Sequence, residues 1–267
     1  MGRHRHHGQT SEVATNESSD PSIYGRSFAD VYDDWYATSF ETDAAVAALV
    51  QLSAGGPVLE LGVGTGRLAL PLARTGLRVV GLDASQEMLN KLEGLDPSRS
   101  VVPVLGDMAD IEHSLRSANL TDCFSLVFCA FNTMLNVESF DALAQCFRGS
   151  QDFLLPDGRL VIEAFVPIED SMIPERSLSP ARVESDAAVF IETTYDRPTS
   201  RLHGRHIEVR PGVVRVRPWS VLICGPEQLD AAARTAGLAL LQRQSDWHGS
   251  PFTNESTAHV SIYAPTA

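Results

Sequence analysis

Between residues 58 and 165 short β-branched runs alternate with amphipathic stretches, and this alternation restricts the fold more than any other feature of the chain. Strand-like segments run Val58 to Leu61, Arg78 to Leu82, Val101 to Leu105, Phe124 to Ala130 and Arg159 to Phe165. Helix-like segments lie between them, at Arg67 to Arg74, Gln86 to Leu92, Ile111 to Ala118 and Ser139 to Leu154. Strands and helices alternating at this spacing require right-handed crossovers, hence a mostly parallel sheet covered on both faces. A ligand is then expected outside the carboxyl ends of the strands. With 267 residues, 43% of them hydrophobic, the chain can bury one substantial core, with room for an elaborated insertion.

The flanks have a different rhythm. Pro167, Pro174 and Pro180 predict a loop. Ala187 to Tyr195, Arg201 to Val209 and Val213 to Leu222 then read as strands turned by Arg197-Pro198-Thr199-Ser200 and Pro211-Gly212. Gln228 to Ala236 returns to helix, Gly237 caps it, and strands at Leu238 to Gln244 and Ala258 to Tyr263 complete an expected seven-stranded sheet. Upstream, Tyr24, Phe28, Tyr32 and Tyr36 recur every four residues beside Trp35, a helical stripe. A second helix, capped by Thr42 and carrying Ala45, Val46, Leu49 and Val50 on one face, is predicted to end at Gly55-Gly56. Residues 1–22 are polar and aperiodic and read as a disordered tail, too mobile for His4, His6 and His7 to give a fixed metal geometry. The expected organisation is this tail, N-terminal helices over residues 23–54 capping the site, an α/β domain from 55–166 and 225–267, and an antiparallel lid over 167–224.

The most informative segment is Val58-Leu59-Glu60-Leu61-Gly62-Val63-Gly64-Thr65-Gly66-Arg67: a buried strand, three alternating glycines and a helix start. Such a turn visits positive φ, and a Cβ would hold the backbone away from a ligand. The first amides of the following helix then point at the ligand. Gly64-Thr65-Gly66-Arg67-Leu68-Ala69 also fits a dinucleotide loop, so an NAD-dependent oxidoreductase remains open on this segment alone. Asp83, ending Val79-Val80-Gly81-Leu82-Asp83-Ala84-Ser85, can grip both hydroxyls of an adenosine ribose and suits either cofactor. Asp107, in Leu105-Gly106-Asp107-Met108, can accept from an adenine amino group while Met88 and Met108 flank the ring, a feature dinucleotide sites do not require.

Together the motifs ELGVGTGR, VVGLDAS, LGDM, FSLVFCAFNTMLN and LLPDGRLVIEAF, in this order, resemble the class I S-adenosylmethionine-dependent methyltransferase family, in its small-molecule, natural-product or sugar branch. The resemblance covers Tyr24 to about Phe165, and Pro226 to Ala264 by pattern. It implies a Rossmann-like fold and S-adenosylmethionine as cofactor, with Gly62, Gly64 and Gly66 around its methionine portion and Glu60 supporting the ammonium. It further implies Asp83 on the ribose with Ala84 beside it, Met88 and Met108 sandwiching adenine, and Asp107 reading its amino group. Phe131 would line the passage to the acceptor, and Tyr32 would reach the methionine carboxylate. A binding protein without turnover is the remaining alternative.

The acceptor is less legible. Nucleic-acid base methyltransferases of this family carry an Asn/Asp-Pro-Pro-aromatic segment after the fourth strand; Phe131-Asn132-Thr133-Met134 stands here instead. With a net charge of −13, this predicts a small metabolite methylated on nitrogen or oxygen, and no nucleic-acid partner. Candidates for acceptor contact or general base are Glu163, Tyr195, His203 and His206, with Phe165, Trp219 and His248 nearby in sequence role. Arg201, His203 and Arg205 share one strand face, as do Arg215, Arg217 and Trp219. These arginines either pair with Glu184, Asp186, Glu192, Asp196 and Glu208 or offer a lid to an anionic acceptor. Paired lid strands could support a homodimer. No run approaches the roughly 18 apolar residues of a membrane helix. Residues 1–20 have no signal-peptide centre, and a cytoplasmic location is expected. Cys123, Cys129, Cys146 and Cys224 lack metal-type spacing and are expected to be buried and inert, with no metal site.

Overall fold

A computed structural model describes residues 20–36 and 41–266. The expected tail, with His4, His6 and His7, lies almost wholly outside the described residues.

Seven strands form the main sheet: β1 (Val58–Leu61), β2 (Val79–Asp83), β3 (Val101–Leu105), β4 (Phe124–Cys129), β5 (Leu154–Phe165), β10 (Leu238–Gln244) and β11 (Ala258–Pro265). Their order is β10-β11-β5-β4-β1-β2-β3, parallel from β5 to β3 and antiparallel where β11 meets β5 and β10. The chain reverses direction across the sheet between β1 and β4, so the crevice at their carboxyl ends is the place where a ligand can reach backbone. β1 is buried along its whole length, as a central parallel strand must be.

Helices cover both faces. On one, α3 (Thr42–Ser53), α4 (Ala69–Arg74) and α5 (Gln86–Leu95) pack Leu49, Leu72, Leu89 and Leu92 against Val58, Val79 and Phe128. On the other, α6 (Ile111–Ser117), α7 (Phe140–Asp152) and α8 (Pro226–Thr235) pack Leu115, Phe147 and Leu229 against Leu59, Val127 and Tyr263. Ser85 caps α5 by accepting from Met88 N–H at 3.3 Å, which fixes Met88 in the first turn beside β2.

Between β5 and α8 a second sheet is inserted, antiparallel, in the order β6 (Arg176–Val183), β7 (Ala188–Asp196), β8 (Arg201–Arg210), β9 (Val213–Leu222). β6 corrects the expected loop. Pro180 is accommodated because β6 is an edge strand whose register shifts between Pro180 and Arg182.

The aromatic stripe also differs from the single helix expected. It divides into α1 (Ile23–Phe28) and α2 (Tyr32–Tyr36), and the ring of Phe28 is stacked on Tyr24 at 4.7 Å and edge-on to Trp35 at 6.2 Å. α1 docks on α5 at Gly25, where a Cβ would lie 2.4 Å from Ser85 Cβ. Thr42 is the first residue of α3 and Glu41 its N-cap, without a side-chain bond; α3 stops at Ala54 in the left-handed region, one residue before Gly55. Three cysteines are buried; Cys123, at the start of the β4 segment, is exposed instead.

Candidate active site

The glycine turn is held by its neighbours' backbone and by one carboxylate. Gly62 N–H and Val63 N–H both donate to Leu82 O, at 2.7 and 3.0 Å. Asp83 then accepts from Gly64 N–H through Oδ2 and from Ser85 N–H through Oδ1, both at 2.8 Å. Thr65 Oγ1 donates to Asp33 Oδ1 at 2.7 Å, tying the turn to α2. Gly62 has φ +74, and a Cβ there would lie 2.2 Å from Thr133 Cγ2, so this position is closed by packing. Gly64 has φ +55 and nothing within 4 Å of where a Cβ would stand: its open side faces the cavity.

That cavity has a volume of about 270 Å³. Among the expected cofactor residues, Tyr32, Gly62, Gly64, Asp83, Ala84, Met88, Asp107 and Met108 line it. Glu60, Gly66 and Phe131 are not among its lining residues; a Cβ at Gly66 would lie 2.4 Å from Leu92 Cδ1, so Gly66 serves the packing of α5. Asp107 accepts from Ala109 N–H at 2.8 Å, which leaves its second oxygen to the cavity. Tyr24 and Gly25 of α1, with Thr133, Asn136 and Ser220, are lining residues that sequence reasoning did not assign; the helical stripe was the available signal for Tyr24, and Arg201, one of the arginines considered for an anionic acceptor, lines the cavity as well.

Glu60 sits behind the turn, 5% exposed, and Oε2 has no hydrogen-bond partner. Burial pushes its carboxyl up to about 8, against the opposing field of Arg67. Burial likewise raises Asp83 and Tyr32. An orphaned buried carboxyl oxygen directly behind the glycine turn fits a ligand that carries a cationic group.

Phe131 and Asn132, directly after β4, both adopt left-handed backbone, at φ +51 and +65. They are clipped to β5: Phe131 N–H donates to Glu163 Oε2 at 2.7 Å, and Phe165 N–H donates to Asn132 Oδ1 at 2.7 Å. Two adjacent non-glycine residues in this region persist because the surroundings over-determine them, a pattern concentrated at functional sites. Phe131, Glu163 and Phe165 line a second cavity of about 390 Å³ with Arg67, Asp246 and Trp247.

The other base candidates lie elsewhere. His206 Nδ1 accepts from Trp219 Nε1–H at 2.9 Å, and its ring packs on Phe28 at 5.1 Å. Burial and the charge of Arg217 hold it below its ordinary pKa. The cluster closes because Gly204 lets Trp219 lie across β8; a Cβ would meet the indole at 2.1 Å. Tyr195 donates to Asp170 at 2.5 Å, and burial raises its pKa. His203, lowered by burial and by Arg201, pairs in register with Ser220. None of the three is among the residues lining either cavity. His248 faces Glu41 at 3.4 Å.

The inserted sheet's arginines are mostly committed. Arg205 faces Glu192 at 3.8 Å and Arg210 faces Glu208 at 2.6 Å, whereas Arg215 and Arg217 reach past the sheet to Asp30, at 3.2 and 2.5 Å. No group of three or more metal-type ligands gathers among the described residues, and no described helix is long and apolar enough to cross a membrane.

Comparison with known proteins gives the family of the chain. Residues 58–158 match a methyltransferase domain family. The chain is 27% identical over 252 residues to the cypemycin N-terminal methyltransferase of a Streptomyces species, covering 89% of this chain and 96% of that protein. The structure of the CcbJ methyltransferase from Streptomyces caelestis is 34% identical, with a TM-score of 0.83, over 93% of this chain and all of that one. S-adenosylmethionine-bound CalS10, an amino pentose methyltransferase from Micromonospora echinaspora, shares the fold at 20% identity and TM-score 0.62, over 87% and 96% of the two chains. These relatives set aside the NAD-dependent alternative, and the chain belongs to the S-adenosylmethionine-dependent methyltransferase family.

Proposed function

We propose that this methyltransferase places its methyl group on an amine nitrogen of a small, natural-product-type acceptor. The observation that carries the choice is where the histidines are: His203 and His206 lie outside both cavities, and His206 is held by Trp219 and Phe28. A hydroxyl acceptor needs a positioned base near neutral pH, whereas an amine can lose its proton to water before attack. The N-terminal methyltransferase among the relatives supports the same choice.

S-adenosylmethionine, when bound, supplies a methyl carbon on a positively charged sulfur. The acceptor lone pair forms the new N–C bond as the C–S bond breaks, its electron pair remaining on sulfur, so the chain's task is chiefly alignment. In our reading the open side of the glycine turn at Gly64 receives the methionine portion, with Glu60 opposite its ammonium. Asp83 takes the ribose, Met88 and Met108 flank adenine, and Asp107 accepts from the adenine amino group. Tyr32 reaches the carboxylate, and Phe131, fixed by Glu163, shapes the passage to the acceptor. The inserted sheet acts as a lid. The net charge of −13 places nucleic acid outside the acceptor class we propose.

Incubation with methyl-13C-labelled cofactor and a panel of matched amines and alcohols tests this. Label should appear on nitrogen, with rates rising as the amine deprotonates. Label on oxygen alone would overturn the proposal.

A further inference from the structure

Arg201 differs from the other arginines of the inserted sheet. It is 5% exposed, the same as Arg217, yet Arg217 has Asp30 at 2.5 Å and Glu208 at 3.4 Å. Arg201 is bound by neutral groups. One Nη donates to the carbonyl oxygen of Val137, the other to Ser220 Oγ, and Nε has no partner. Among the described residues no carboxylate lies within 4.0 Å of it. The acid whose field reaches it is Glu138, which is exposed.

A guanidinium has five N–H donors in a planar fork, and two are used here. Ser220, which accepts from Arg201, still has its own proton to donate. Burying a cation without a counter-charge is costly, and the cost is offset when an anion completes the site. Arg201, Ser220, Val137 and Glu138 line the same cavity as Gly64 and Asp107. The residue that carries the unmatched charge therefore stands in the wall of the space where methyl transfer is proposed.

We infer that Arg201, with Ser220, seats an oxyanion of the acceptor, a carboxylate or a phosphate, so that the acceptor is an amine bearing a negative group. The inference rests on the amine reading above and narrows it. Two parallel N–H···O bonds from a guanidinium fork match either oxyanion in geometry and charge.

The test uses the full chain loaded with S-adenosylhomocysteine, titrated with acetate and separately with inorganic phosphate at constant ionic strength. Saturable uptake is expected, the tighter anion identifying carboxylate or phosphate as the group. Arg201→Gln should weaken it by about 10-fold or more, the loss of a charge-assisted pair of bonds. Glu138→Gln, at the surface, should tighten it by about two- to fivefold and decides the matter if the Arg201 variant does not fold. No saturable uptake of either anion, or uptake that both variants leave unchanged, would overturn the assignment. Turnover of phenylalanine against phenethylamine separates this from the amine reading. Equal N-methylation of both refutes the Arg201 seat alone, whereas Arg201-dependent anion uptake with methylation only of alcohols refutes the amine reading alone.

Discussion

Binding of the cofactor should expel a proton from Glu60. The side chain is buried, Oε2 lacks a partner, and burial holds the carboxyl at about 8 against an ordinary value of 4.5. At pH 7 the free chain therefore carries Glu60 about nine-tenths protonated, since one pH unit below the pKa the ratio is about 10 to 1. An ammonium placed opposite it favours the charged form and returns the pKa toward the ordinary range, so about 0.9 proton leaves per cofactor bound. Affinity should then rise about tenfold per pH unit from pH 6 toward 8, flattening above it. The sign for folding is opposite. A carboxyl raised in the native state stabilises fully below about 4.5, and that contribution is lost as pH rises to about 8. Calorimetry of S-adenosylhomocysteine binding at pH 7, in buffers of different ionisation enthalpy, counts the proton; Glu60→Gln should abolish the release and flatten both pH profiles. Equal binding enthalpies in all buffers for wild type, or the same proton count in Glu60→Gln, would refute the reasoning.

Three further outcomes follow from contacts already described. Asp83→Ala strands the amides of Gly64 and Ser85 and removes the proposed ribose acceptor, so cofactor affinity should fall by about 10- to 150-fold, or about 1.5–3 kcal/mol; calorimetric binding within twofold of wild type contradicts this. Gly62→Ala drives a Cβ to 2.2 Å from Thr133 at φ +74, and thermal denaturation should show a loss of about 1–3 kcal/mol; an unchanged melting temperature would show that the turn can relax. Arg217→Met removes the buried link from Glu208 to Asp30 and Ser27 O, loosening α1 against the inserted sheet. Its stability should fall by about 1–3 kcal/mol with weaker cofactor binding, and intact stability in chemical denaturation would mean the pairs are compensated elsewhere.

The parts of the molecule that local chemistry determines were readable from sequence. Glycines that need positive φ, acids at strand ends and the strand-helix alternation all act within a few residues, so the mostly parallel sheet and the positions of Gly64, Asp83 and Asp107 at one crevice follow from pattern, whereas the strand order does not. The failures are long-range. Pro180 argued for a loop because sequence does not show that β6 would be an edge strand. The four-residue aromatic spacing concealed the break at Ala29–Val31, where α1 turns to dock at Gly25 on α5. Arg201 was one of five arginines in β8 and β9; which one loses its acidic partner depends on the register of β8 with β9 and on how that pair meets Val137. His206 read as a candidate base because no local signal reveals Trp219 and Phe28 on either side of it.

A crystal structure of the chain with S-adenosylhomocysteine and an amino acid tests the account most directly. It should show adenine between Met88 and Met108, the ribose on Asp83, the ammonium opposite Glu60, and the acceptor carboxylate on Arg201 with its nitrogen directed at the sulfur. Cofactor density in the cavity lined by Trp247 and Asp246, or an acceptor seated away from Arg201 with an oxygen toward the sulfur, would contradict it.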